Sequence, residues 1–223
     1  VRDARDQLGH YLLIVGYDDV AQHFLTYDSL HGADIPIDYQ ELDELWRVFN
    51  RLYLIIAPPN SMPNLMHVLG PSASERWATA HALDVARMEA ANPPEICVAY
   101  ADCADAETFA HFNIGTSLVA QGYYEQAAAA YDQARLLGLH YRMLWYQFGP
   151  YVAYYTVGRY EDVVTLADET LRVTRNLEES YYWRGRAWQA LGEIQKARAD
   201  FKAALRYHEG WPLAQEALEA LAE

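Results

Sequence analysis

Three glycines, Gly122, Gly158 and Gly192, stand 36 and 34 residues apart, and each separates one helix-forming run from the next. The runs around them align: "FNIGTSLVAQGYYEQAAAAYDQA", "YQFGPYVAYYTVGRYEDVVTLADET" and "YYWRGRAWQALGEIQKARADFKAAL". A period of this length stacks equivalent helix pairs, because no pair buries its apolar face alone. A glycine between two antiparallel helices supplies the left-handed residue that such a turn wants. From about residue 107 onward the chain therefore reads as nearly all helix.

The first run carries Gly115, Gly122, Tyr124, Ala127, Tyr131 and Ala134, and the third carries Gly185, Trp188, Gly192, Ala197, Phe201 and Ala204. The alanines let helices approach closely, and Tyr131 and Phe201 fill the space between repeats. The second run departs: Tyr151 replaces the helix glycine, and Val163, Ala167 and Thr170 replace the small-large-small series. Pro212 opens a last helix, "PLAQEALEALAE", suited to cap the array. In these residues the chain resembles the tetratricopeptide repeat (TPR), a pair of antiparallel helices. About three pairs and a capping helix are expected over 107–223.

Residues 1–59 have a different rhythm. "HYLLIVGY" and "HFLTYD" read as strands joined by the turn "DDVAQ", and "IPI" as a short third strand. "DYQELDELWRVFN" reads as a helix capped by Asp38, with Glu41 completing a capping box. "RLYLIIA" is expected as a last strand, stopped by Pro58 and Pro59. Residues 60–106 are expected as a linker with one short helical turn, followed by a leading helix, "SERWATAHALDVARMEAAN".

Folding the first two strands about Asp19 sets His10 opposite Asp28 at the open end of a hairpin. An imidazole beside a fixed carboxylate is how a general base is oriented. A surface pair is the plainer reading of the same spacing. "GHYLLIVGYDD", "FLTYDSLHG" and "IDYQELDELWRVFNRLYLIIAPP" together resemble the C-terminal half of a C39-like domain, a cysteine peptidase of papain-type fold. The resemblance covers residues 9–58. It implies that His10 is the base and Asp28 its acid, on a partial papain-like antiparallel sheet within an α+β part. It also implies a nucleophilic cysteine upstream of Val1, so that this chain alone is inactive and a missing N-terminal half is one partner. Bacterial chains that join such a domain to TPR repeats are similar to the whole sequence, which implies an extracytoplasmic setting.

Cys97 and Cys103 follow the acid, in the wrong order for that fold. Without a CxxC spacing or a histidine pair they make a poor metal site, and no cofactor is expected. Buried thiols, a disulfide or one reactive thiol are the readings left. The net charge of -14 argues against a nucleic-acid partner. The longest apolar runs, "YLLIV" and "YLIIA", are too short to span a membrane.

Registered on the turn glycines, the inner face of the repeats falls at Phe109, Phe112, Thr116 and Val119, then at Trp145, Phe148, Val152 and Tyr155, then at Glu179, Tyr182, Arg186 and Gln189. This face is aromatic, with Phe109, Phe112, Trp145, Phe148, Tyr155, Tyr182 and Arg186 as candidate binding residues for a protein or peptide. The competing occupant is internal: residues 75–106 or the β-rich part. Two functions compete as well. One is part of a C39-like peptidase with a TPR binding module. The other is a non-catalytic TPR scaffold whose peptidase-like part is degenerate. A glycan enzyme using the many acids has no paired-carboxylate motif behind it.

Overall fold

The computed structural model describes residues 2–3, 8–9, 11–95 and 105–221. The chain forms two compact units: Val1–Gln121 with Ala130–Leu139, and Gly122–Ala129 with His140–Glu223.

In the first unit, β1 (Arg2–Asp3) and β2 (Leu8–Gly9) form a minimal antiparallel pair. β3 (Leu12–Asp18), β4 (His23–Asp28) and β5 (Gly32–Asp38) form an antiparallel sheet in the order β3-β4-β5. Both turns are closed by the aspartate that ends the preceding strand. Asp18 Oδ1 accepts the amides of Val20 and Ala21 at 2.9 and 3.0 Å, and Asp28 Oδ1 accepts those of Leu30 and His31 at 2.7 and 3.3 Å. Such side chains replace a backbone turn bond.

The hairpin register differs from the one expected. The turn closes between Asp18 and His23, later than a fold about Asp19; a bulge at Val15, between Ile14 and Gly16, recovers one residue of the shift, and Asp28 pairs with Leu12. His10 lies outside the described residues, as do Cys97 and Cys103.

Asp38 caps α1 (Tyr39–Arg47) as expected, accepting the amides of Gln40 and Glu41. Leu42 and Val48 are buried on its inner side. The chain then turns sharply through Asn50 and Arg51, both left-handed, with φ of 54° and 51°. Arg51 holds the turn by a two-pronged bond to Asp43, at 2.6 and 2.9 Å, and a third bond to Glu89 at 2.7 Å.

The expected strand "RLYLIIA" is not one. Residues 52–57 pair with no strand among the described residues, and Leu52, Leu54 and Ile56 are 80%, 87% and 84% exposed. β-propensity needs a neighbouring backbone to be realised. The expected linker holds more helix than one turn: α2 (Met62–Leu69) lies between two 3-10 turns. α3 (Glu75–Ala91), capped by Ser74, packs on α4 (Ala106–Ala120).

The repeats follow as helix pairs. α5 (Tyr124–Leu136) follows α4, α6 (Gly149–Thr156) pairs with α7 (Tyr160–Val173), and α8 (Glu178–Ala190) pairs with α9 (Ile194–Tyr207). α10 (Pro212–Glu219) covers α9. Gly122, Gly158 and Gly192 have φ of 79°, 81° and 78°, so a side chain at any of them would be strained. Two other glycines serve contact rather than conformation. A Cβ on Gly115 would meet the Tyr131 ring at 2.5 Å, and one on Gly185 the Phe201 ring at 2.7 Å.

The middle pair inverts this arrangement. Tyr131 and Phe201 each lie sixteen residues after their glycine, and sixteen residues after Tyr151 comes Ala167. Both are fully buried, so the large group comes from the first helix of the pair and the small one from the second. The buried Tyr151 hydroxyl is satisfied. It donates to Thr170 Oγ1 at 3.4 Å, whose own hydrogen goes to the Leu166 carbonyl, and lies 3.1 Å from Ser180 Oγ, which is left to donate. Burial pushes this phenol above its ordinary pKa.

Candidate peptide-binding site

α6 is short because Pro150 sits at its start and cannot continue a helix backward. Its opening displaces two expected positions. Trp145 lies in a separate 3-10 turn, Tyr141–Trp145, and Phe148 is the cap residue of α6. Neither lies within α6. The signal was the pair "GP" at Gly149 and Pro150, a helix start that the glycine period alone does not register.

The first repeat departs for another reason. Phe109 and Phe112 are buried in the first unit, with Phe112 against Tyr131 at 5.2 Å between centroids. α4 is covered by α3 and tied to the end of α1: Asn113 Nδ2 donates to the Arg47 carbonyl at 2.6 Å, and Asn50 Nδ2 to Ser117 Oγ at 3.0 Å. Here the internal occupant holds the face, and these two rings are core.

In the second unit three expected residues converge. Tyr155 comes from the last turn of α6, and Tyr182 and Arg186 are one turn apart on α8. Arg186 Nη1 donates to the Tyr182 hydroxyl at 2.8 Å and Nη2 to the Tyr155 hydroxyl at 3.1 Å. The guanidinium carbon lies 5.1 Å from the Tyr155 centroid and 5.8 Å from that of Tyr182, within cation–π range. Trp183 and Tyr160 wall the Tyr155 ring at 5.7 and 5.3 Å; sequence reasoning missed both. Tyr182 itself is 5% exposed and packs on Phe201 and Trp211, so its ring belongs to the core and only its hydroxyl serves the site.

The chemistry of this cluster is one-sided. A guanidinium has five N–H donors, and two are committed here to phenol oxygens. Those phenols act as acceptors, so each keeps its own O–H. Burial works against the charge on Arg186, but the phenol bonds outweigh it and hold its pKa above the ordinary value. Among the described residues no carboxylate pairs with Arg186. The site therefore presents donors, a positive charge and aromatic surface.

Around Asp28 the described geometry is a carboxylate–imidazole pair within one turn. His31 Nδ1 lies 3.0 Å from Asp28 Oδ2, with the carboxylate buried and the imidazole half exposed. Sequence reasoning did not weigh His31, although Asp-x-x-His in a side-chain-closed turn brings the two together. Among the described residues, no group of three His, Cys, Asp or Glu is placed to hold a metal, and no helix is long and apolar enough to cross a membrane.

No family model matches the chain, and no curated protein matches it. Solved structures do. The protein named MamA, residues 41 to the end, from Desulfovibrio magneticus RS-1 is 14% identical, with 71% of this chain and 88% of that one covered and a TM-score of 0.49. The Arabidopsis OM64 TPR domain is 18% identical over 53% of this chain and 96% of that one, with a TM-score of 0.48. The first TPR of Spaghetti (RPAP3), bound to the HSP90 peptide SRMEEVD, is 17% identical over 52% and 90%, with a TM-score of 0.46. The repeat assignment stands on the chain's own geometry: helix pairs at the spacing of the turn glycines, small residues at the close contacts, and a closing helix. The fold is mostly helical, with TPR repeats and one small three-stranded sheet.

Proposed function

We propose that the chain is a protein-binding TPR module that takes an extended peptide on the α6 and α8 face, through Tyr155, Tyr182 and Arg186. The observation that carries the reading is the donor-rich character of this cluster: a half-buried guanidinium with uncommitted N–H groups, two phenol hydrogens and, among the described residues, no carboxylate paired with Arg186. Peptide carbonyls and an acidic side chain are its complement, and charge-assisted bonds of this kind contribute about 1.5–3 kcal/mol. The test is fluorescence polarisation with labelled peptides, acidic and neutral, on the parent and on Arg186→Ala. Affinity for acidic peptides is expected to fall at least about tenfold, which is about 1.4 kcal/mol, with the helical signal unchanged. If Arg186→Ala binds every peptide as the parent does, the reading fails.

A second reading concerns the β-rich part, as the His10 and Asp28 half of a C39-like peptidase site. What supports it is that Asp28 is buried and fixed at the end of β4 by two backbone amides, as an orienting acid needs to be. On this reading the imidazole of His10 titrates higher with Asp28 than in Asp28→Asn, measured by NMR. An unchanged His10 titration removes it.

A further inference from the structure

Two apolar runs of the first unit lack what a strand requires. β3 is an edge: it pairs with β4 on one side and with nothing on the other among the described residues. Tyr11, Leu13, Ile14, Val15 and Tyr17 are all exposed along it, on both faces, and no charged residue occurs from Tyr11 to Tyr17. Natural edges of this kind carry lysine, proline or a bulge against pairing with another chain; this one carries neither lysine nor proline, and its bulge at Val15 leaves Leu12 to Ile14 in regular register. The second run is Leu52–Ala57, also uncharged. Among the described residues, no hydrogen bond involves the main chain from Tyr53 to Ala57. Among the described residues, one chain thus holds an edge with no strand beside it and an unpaired strand-length segment.

We infer that a second copy of this chain covers both: residues 52–57 of each copy add to the free edge of β3 of the other, giving a closed two-fold pair. The occupant follows from complementarity within one sequence. What the edge needs is an apolar, uncharged, unpaired segment, and the chain itself carries one. In a chain of net charge -14 these are the stretches where two copies meet without carboxylate repulsion. Reciprocal exchange also satisfies the two-fold rule that a contact made by one copy is returned by the other. At their exposures the two runs together present on the order of 1,400 Å² per copy over both faces, so strand addition that covers rather more than half of it reaches the roughly 800 Å² per partner of a standard stable interface. Main-chain bonds to an edge give affinity, and alternate side chains give register.

The test is sedimentation velocity on the 223-residue chain from low to high micromolar concentration. A species of twice 25.5 kDa is expected. The double variant Leu54→Lys with Ile56→Lys, and separately Leu13→Lys, are each expected to weaken association at least about tenfold, because each breaks both reciprocal junctions. All three positions are exposed, so far-UV circular dichroism should be that of the parent. Mixing the two variants restores one junction, and heterodimer is expected to form more tightly than either variant self-associates. A parent that stays monomeric, open-ended polymers, or a dimer indifferent to both variants overturns the inference.

Discussion

Arg184 and Arg186 lie two residues apart on α8 and turn to opposite partners. Arg184 takes Asp200 in a two-pronged bond, at 2.7 and 2.6 Å, and reaches Asp168 with its remaining arm. Among the described residues, Arg186 bonds to phenols and lies over their rings. Two positions turn a helix by about 200°, so one arginine is directed into the α8–α9 packing and the other to the opposite face. The structural role of one and the recognition role proposed for the other are thereby separated by a single intervening residue.

Arg184→Ala is expected to destabilise the protein by about 3 kcal/mol, since Asp200 is left buried without its counter-charge. Arg186→Ala is expected to cost less than about 1 kcal/mol, because its loss strands no buried charge. Urea unfolding of the two variants separates these outcomes.

Tyr151→Gly should cost about 3–5 kcal/mol, through a cavity beside Ala167. Adding Ala167→Tyr restores the small-large arrangement of the other two pairs. It is expected to recover more than half of that loss, measured as a coupling energy in a double-mutant cycle. Tyr151→Phe removes only the hydroxyl between Thr170 and Ser180 and is expected to cost about 1 kcal/mol.

Asp43 is held below its ordinary value of 3.8 chiefly by its bond to Arg51, with burial opposing. A carboxylate depressed in the folded state adds stability above its unfolded pKa and loses it as pH falls through the folded value. Stability of the parent is therefore expected to drop more steeply below about pH 4 than that of Asp43→Asn, by less than about 1 kcal/mol given the exposure of Asp43. Thermal midpoints across a pH series measure the difference.

The local features were legible from sequence. The turn glycines and the Asp38 cap each depend on a few neighbouring residues and formed where expected, whereas the β3–β4 turn formed within "DDVAQ" but past the expected centre at Asp19. What failed depended on distant chain. Residues 52–57 have the composition of a strand, but a strand exists only beside another. Phe109 and Phe112 have inner-face spacing, but α3 and the end of α1 bury that face, and no periodicity records which element packs on which. Within the candidate site, the grouping of Tyr155, Tyr182 and Arg186 on one face followed from register alone. Their joining by phenol–guanidinium bonds required the pairing of α6 with α8, which the register does not fix.

Helix pairs cut to one pattern carry an intrinsic ambiguity: any pair can dock on any other, and a folding chain can slip by a whole unit. The inverted middle pair removes that ambiguity. With Tyr151 supplied by α6 and its hydroxyl answered by Ser180 of the following pair, only the native successor completes the buried chain of hydroxyls. An exchange of helices between pairs would in addition set a tyrosine against a tyrosine or a glycine against an alanine, clashing in one joint and hollow in another. The departure from the repeat pattern thus serves as an address, fixing the order in which otherwise interchangeable parts are assembled.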